Sequence, residues 1–105
     1  MALDLVRVHK QTEECVVALV SPTALFKDAW LPLVAELGFK WVPRLGEAGW
    51  LNEEARLGLV AELTRMRGYI REQNNDERMW IAGRIDNLLP VLAGHTCDEY
   101  EFVTG

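Results

Sequence analysis

Two side chains near the end of the chain are of the types that carry out nucleophilic or metal chemistry. His95 and Cys97 are two residues apart, so on an extended segment they share a face, and a thiolate beside an imidazole is an activated nucleophile. The pair follows a predicted helix C-terminus, whose negative partial charge raises a thiol pKa. A structural zinc site needs four nitrogen or sulfur ligands at recognisable spacing, and besides this pair the chain offers only His9 and Cys15. We therefore predict no catalytic residue, no metal ligand and no cofactor, which favours a protein that is not an enzyme.

The acidic residues gather near the end of the chain. In total, 16 acidic residues against 11 basic ones give a net charge of −5, which disfavours nucleic acid as a direct ligand. Asp98, Glu99 and Glu101 have no compensating base among them. Because successive side chains of a strand point to opposite faces, we expect these acids outward and Tyr100 and Phe102 inward. Such an acidic surface would steer a basic protein towards the chain.

Four tryptophans are the other conspicuous feature. Trp30 lies on a helical apolar stripe and is expected in the core, whereas Trp41 and Trp50 flank residues 46–49, a loop by composition. A tryptophan in such a place either packs the loop against the domain or is exposed to bind a partner. Tryptophan is a frequent anchor residue in protein interfaces. The candidate partner-binding residues are therefore Trp41, Trp50, Asp98, Glu99 and Glu101.

Location is predicted from the first residues and the apolar runs. Asp4 and Arg7 interrupt the start of the chain, which does not have the pattern of a signal peptide. The longest uncharged run, residues 15–26, includes Ser21 and Pro22 and is shorter than the about 20 apolar residues that span a bilayer. We expect a cytoplasmic protein without a membrane partner, in which both cysteines are free.

Three segments outside the helices predict strands. Residues 3–8 and 13–20 form two strands joined by a short hairpin, and residues 99–103 form a terminal strand that pairs with one of them. The second strand is apolar on both faces from Cys15 onward, so we expect it at the centre of the sheet, covered on both sides and with Cys15 buried. Residues 39–45 are typical of a further short strand or an extended arm.

Apolar residues recur at spacings of four, three and four in three places, which predicts three helices. Residues 21–22 indicate the start of the first helix, with Ser21 as its cap, and Asn52 caps the second. A short polar break before the third helix predicts an antiparallel αα-hairpin. The three stripes are Phe26, Trp30, Leu33, Leu37; Leu59, Leu63, Met66, Ile70; and Ile81, Ile85, Leu88, Leu92. Three glycines interrupt the last two helices, either on a tolerant surface or at a close contact: Gly58, Gly68 and Gly83.

The order β-β-α-(β)-α-α-β predicts one α+β domain over residues 1–105. We expect a small antiparallel or mixed sheet of three or four strands, covered by three helices that include the αα-hairpin. The acidic chain without catalytic motifs is typical of a domain that binds another protein, here a basic one. Its most concrete form is a small bacterial inhibitor or immunity protein that covers a basic active site, such as that of a nuclease toxin.

Two alternatives of other classes stay open. One is a homo-oligomeric structural or adaptor domain, for example a homodimer, that uses the αα-hairpin or the edge of the terminal strand. The other is a small-molecule-binding protein or enzyme with a pocket between sheet and helices, lined by Trp30, Trp41 and Tyr69. A symmetric contact would favour the first of these alternatives, and a deep pocket with convergent polar groups would favour the second.

Overall fold

The structure, a computed structural model, describes residues 2–105 and has four antiparallel strands in the order β2-β1-β4-β3. The strands are β1 (Ala2–His9), β2 (Cys15–Pro22), β3 (Gly49–Trp50) and β4 (Tyr100–Thr104). The helices are α1 (residues 23–37), α2 (Glu53–Gln73) and α3 (Met79–Leu92). This antiparallel sheet with three helices confirms the predicted α+β class and the approximate order of its elements.

The position of β2 is the main correction to the predicted sheet. β1 pairs with β2 on one side and with β4 on the other, so β2 is an edge strand and not the central one. Cys15, at its start, is exposed, and the prediction that this side chain is buried is wrong. The pairing of β4 with β1 brings the two ends of the described chain into one sheet.

The first helix contains an irregular turn before its proline. Ser21 and Pro22 still belong to β2, and α1 begins at Thr23. The Ser21 hydroxyl donates to the carbonyl of Pro22 at 2.9 Å instead of capping the helix. Phe26–Trp30 form a π-helical turn directly before the segment that contains Pro32. A proline ring inside a helix clashes with the preceding turn, and a wider turn relieves that clash.

The αα-hairpin of α2 and α3 agrees with the sequence prediction. The Asn52 side chain accepts a hydrogen bond from the Ala55 N–H at 2.8 Å, which caps α2. Between the helices, Asp86 of α3 pairs with both Arg67 and Arg71 of α2, at 3.2 and 2.7 Å. The middle residues of the three stripes are all fully buried: Trp30, Leu33, Leu63, Met66, Ile85 and Leu88.

The segment between α1 and α2 differs from the prediction. Val42–Gly46 is a 3₁₀ helix where a strand or extended arm was expected, and β3, at Gly49–Trp50, begins at the last residue of the predicted loop. The reason lies about twenty residues away in α2, where the Glu62 carboxylate accepts three successive backbone N–H groups and so caps this turn. Its donors are Lys40, Trp41 and Val42, at 3.0, 2.7 and 2.9 Å.

One of the three helical glycines makes a close contact. The indole of Trp41 lies against Gly58, where a Cβ atom would be 2.2 Å from the ring. Around Gly68 and Gly83 the space is open, with nothing within 4 Å of a Cβ. Gly58 therefore lets the loop before β3 approach α2, whereas the other two glycines lie on open surface.

Candidate interaction surface

One face of the sheet is not covered by a helix. Leu3 and Leu5 of β1 are buried, at 7% and 0% exposure, and α3 packs against β1 and β2 on that side. The alternate residues Asp4, Val6 and Val8 therefore point to the opposite side. Within residues 2–105 no helix packs on that side, which we call the open face.

Apolar side chains form a row across the open face. Val6 of β1 pairs with Val17 of β2 on one side and with Val103 of β4 on the other, and Val103 pairs in turn with Trp50 of β3. Paired residues of neighbouring strands share a face, so these four side chains, which we call the apolar row, cross all four strands. Val17 is 60% exposed and Trp50 63% exposed. Contiguous exposed apolar patches are typical of sites that bind another molecule.

Two carboxylates lie on the open face beside the apolar row. Asp4 is paired with Leu19 on one side of the row, and Glu101 is paired with Val8 on the other. Among the residues of the four described strands, these two carry the charged side chains of the open face. No ion pair is formed by either of them within that range. The open face is thus apolar in the middle and acidic at two of its borders.

The structure brings together two of the five residues predicted to bind a partner. Trp50 is part of the apolar row, and Glu101 lies on the same face two residues before Val103. Trp41 is elsewhere: its half-buried ring covers Gly58, with the Lys40 ammonium 4.7 Å from the ring centroid.

Asp98 and Glu99 lie in the turn that precedes β4, and both are exposed. Together with His9 and Lys10 they line a cavity of about 390 Å³ at the end of the β1–β2 hairpin. Lys10 donates to the Cys97 carbonyl, and its backbone N–H donates to the Glu99 carbonyl at 2.9 Å. These two acids therefore do not lie among the strand residues of the open face, although their predicted exposure is confirmed.

Several residues of the open face carry no distinctive signal in the sequence. Val6, Val17 and Val103 are ordinary strand residues whose surroundings depend on which side of the sheet the helices cover. The available signal was the run from Cys15 to Val20, which has no polar alternation. That pattern fits a strand buried on both faces and also fits a strand with an exposed apolar face, and the prediction of a central β2 followed from the first of these.

His95 and Cys97, the candidate nucleophilic pair, each contact other groups of the chain. His95 Nδ1 lies 2.9 Å from the Ala93 carbonyl and 3.2 Å from Arg7 Nη1. Burial and the neighbouring Glu53 carboxylate raise the pKa of the Cys97 thiol, which keeps the sulfur protonated and weakly nucleophilic. Among residues 2–105 there is no group of three or more His, Cys, Asp or Glu side chains placed to hold a metal ion.

Glu53, a carboxylate with a lowered pKa, has a structural role. Arg56 is 5% exposed, and its guanidinium binds both Glu53 oxygens, at 2.6 and 2.9 Å, and the Leu92 carbonyl at 2.8 Å. The hydrogen bond from Arg56, helped by the backbone N–H of Cys97, lowers the pKa of Glu53 to about 2. This cluster ties the start of α2 to the end of α3 and to the segment before β4.

The residues that were expected to line a pocket lie in three places. Trp30 is fully buried and stacks on Phe26 at a centroid distance of 5.6 Å. The Tyr69 hydroxyl donates to Glu36 at 3.0 Å, and Trp41 covers Gly58. A separate cavity of about 840 Å³ opens beside the end of β2; its lining includes Leu3, Pro22 and Lys27.

Two further findings bear on what the chain is. In the part of the chain that the structure describes, no helix has both the length and the apolar character needed to cross a membrane. Comparisons with models of protein families, with curated proteins and with solved structures find no match to this chain.

Proposed function

We propose that the protein is a protein-binding domain and that the open face of its sheet is the docking surface for a basic partner protein. The observation that carries the proposal is the apolar row from Val17 through Val6 and Val103 to Trp50. It lies on a face that no helix of residues 2–105 covers. A partner that covers this row removes apolar surface from water, worth about 25 cal/mol for each Å².

Trp50 is the expected anchor of the interface. Its side chain is 63% exposed although it lies in a hydrogen-bonded strand, so its backbone is already ordered and little entropy is lost when it is covered. Tryptophan is enriched among the residues that dominate binding energy, particularly when apolar neighbours exclude water from it. Val103, opposite Trp50 on β4, supplies such a neighbour.

The charges on the open face favour a basic partner over a second copy of the chain on this face. Two copies that pack face to face would bring Asp4 and Glu101 of both chains into one interface without a base. Burial of unpaired charges costs several kcal/mol for each ion. Lysine or arginine side chains on a partner would instead pair with these carboxylates and accelerate its approach. An inhibitor that covers the basic active site of another protein, such as a nuclease toxin, is the most specific form of this proposal.

The proposal is tested by capturing a partner with variants of the chain as bait. Trp50→Ser removes the anchor, and Leu57→Ser is its control, because Leu57 of α2 is a similarly exposed apolar residue at 54% outside the sheet. We expect the wild type and the Leu57 variant to retain a protein that the Trp50 variant loses. A partner that all three retain equally would place the interface elsewhere.

The electrostatic part of the proposal is tested with the purified partner. Asp4→Lys combined with Glu101→Lys should slow association by about tenfold or more at low salt. The effect should shrink between about 0.01 and 0.1 M salt, because the screening length falls from about 30 to about 10 Å. Asp76→Lys combined with Glu77→Lys replaces two exposed acids in the turn before α3, changes the net charge by the same amount, and is therefore the control. An equal effect of this control variant would reduce the role of Asp4 and Glu101 to long-range net charge.

A further inference from the structure

The outer edge of β2 has no neighbouring strand within residues 2–105. β2 is eight residues long, and no residue from Cys15 to Pro22 is charged. Natural sheets normally protect such an edge with lysine, an inward-pointing charge or a proline within the strand. Here the one proline is the last residue, and the bulge opposite Leu3 and Asp4 lies near the same end. The first five residues of β2 therefore form an open template for another strand.

The hydrogen-bonding pattern shows which residues face the edge. His9 N–H donates to the Glu14 carbonyl at 2.9 Å, which fixes the alternation of the β1–β2 ladder. By that alternation, Val16 and Ala18 turn their backbone groups towards β1. Cys15, Val17 and Leu19 turn theirs outward. Their side chains belong to the open face.

We propose that two copies of the chain pair through β2, antiparallel and two-fold symmetric about Val17, to form one sheet of eight strands. The three outward residues are spaced symmetrically about Val17, so a two-fold axis there aligns all of them at once. Val17 then faces Val17 of the second copy, and Cys15 faces Leu19. These are pairs of uncharged side chains, which is what a self-complementary contact requires.

The charges near β2 agree with an antiparallel arrangement. In this register Glu14 lies opposite Val20 of the second copy and Glu13 lies opposite Ser21, so neither acid meets a like charge. A parallel arrangement would instead place the acids of both copies side by side, which destabilises a strand pair. Asp4 lies one strand further in, about 10 Å from the added strand at normal strand spacing.

The dimer is expected to be reversible. The five paired residues of β2, Cys15 to Leu19, give a contact about 17 Å long, and a contact one strand wide falls below the roughly 800 Å² per partner of standard stable interfaces. Dimerisation should therefore depend on protein concentration. Because pairing at the edge leaves both open faces uncovered, it is independent of the docking proposal and compatible with it.

Sedimentation equilibrium between about 10 μM and 1 mM gives the first test. The average mass should rise from 11.9 kDa towards twice that value. Val17→Lys should abolish the rise, because it places two like charges opposite each other, while Leu57→Lys should not. Trp50→Ser removes the proposed anchor for the basic partner but leaves the β2 edge unchanged, so this variant should dimerise normally. The two proposals can therefore fail separately. Thermal unfolding of each variant checks that it is folded.

Disulfide cross-linking tests the register. In a directly paired position the Cα atoms are about 5.5 Å apart, within disulfide reach, whereas residues four positions off are about 14 Å apart. With Cys15 present, Leu19→Cys should give cross-linked dimers under mild oxidation. With Cys15→Ser in addition, it should not. Val17→Cys combined with Cys15→Ser should cross-link faster than Leu57→Cys in the same background.

Three results would overturn the inference. One is a mass that stays at 11.9 kDa up to about 1 mM. Another is a dimer that Val17→Lys does not weaken, since the contact would then lie elsewhere. The third is cross-linking by Leu19→Cys that does not depend on Cys15, since the register would then be different.

Discussion

Replacement of Gly58 by alanine tests the packing of the loop before β3 most sharply. Alanine normally stabilises a helix interior by about 1 kcal/mol relative to glycine. At Gly58, however, the new Cβ would lie 2.2 Å from Cδ1 of the Trp41 indole, far inside the 3.5–4.0 Å at which carbon atoms attract. The ring would have to move by more than about 1 Å to restore that contact distance.

Trp41 cannot move freely because its surroundings hold it. Its backbone N–H donates to Glu62 at 2.7 Å, and the Lys40 ammonium lies over its ring. Overpacking of this kind costs about 1–3 kcal/mol, and so short a distance points to the upper half of that range. We therefore expect Gly58→Ala to lose about 1–2 kcal/mol in net stability.

Two matched controls come from the same helical hairpin. Gly68→Ala and Gly83→Ala introduce a Cβ with nothing within 4 Å, so both should gain about 1 kcal/mol. The contrast with Gly58→Ala should reach about 2–3 kcal/mol. Urea unfolding followed by tryptophan fluorescence measures it, and in a domain of this size each kcal/mol shifts Tm by about 4–8 °C.

A Gly58→Ala variant that is stabilised as much as Gly68→Ala would refute the predicted clash with the indole. A second arm isolates the cause, since the added methyl group has no ring to meet once the indole is gone. In a Trp41→Ala background, Gly58→Ala should become stabilising. If it stays destabilising there, the cost comes from the backbone of α2 and not from the indole.

Three further predictions concern stability and the thiols. Leu63→Ala should cost about 2–5 kcal/mol in urea unfolding because its side chain is fully buried; a loss below about 1 kcal/mol would mean that the core is misassigned. The pKa of Glu53 is lowered to about 2 from an ordinary value of 4.5. Its pairing with Arg56 therefore stabilises the fold fully above about pH 4.5, and this contribution is lost as the pH falls towards about 2. Glu53→Gln should therefore flatten the pH dependence of stability in that window, and an unchanged slope would contradict the pairing. Cys15, being exposed, should react with a thiol reagent in the native state faster than Cys97, as timed labelling and mass spectrometry would show; equal rates would contradict its place at the edge.

The helices could be predicted because their signals are local. An apolar stripe spaced four, three and four is readable within one segment, and Asn52 caps α2 with its own side chain. The strand positions depend on distant parts of the chain. β2 lies at the edge because β4, about eighty residues later, takes the free side of β1. The 3₁₀ helix after Trp41 forms because Glu62 caps it from α2.

The candidate site was predictable to the same extent. Trp50 and Glu101 could be chosen by residue type, because tryptophan anchors interfaces and acids steer basic partners. Their shared face could not, since it depends on the pairing of β3 with β4. Val6 and Val17 have nothing distinctive in their types, and only the register shows that they continue the row that begins at Trp50.

The docking proposal is tested most directly by mapping where a partner binds. The isotope-labelled protein, titrated with the purified basic partner, would be followed by NMR at the Trp50 indole N–H and at the amides of Val6 and Val103. Those resonances should shift or broaden first and most, while Leu57 and Arg67 on the αα-hairpin stay unchanged. Perturbations confined to the hairpin, with the Trp50 indole unaffected, would contradict the assignment of the open face as the binding surface.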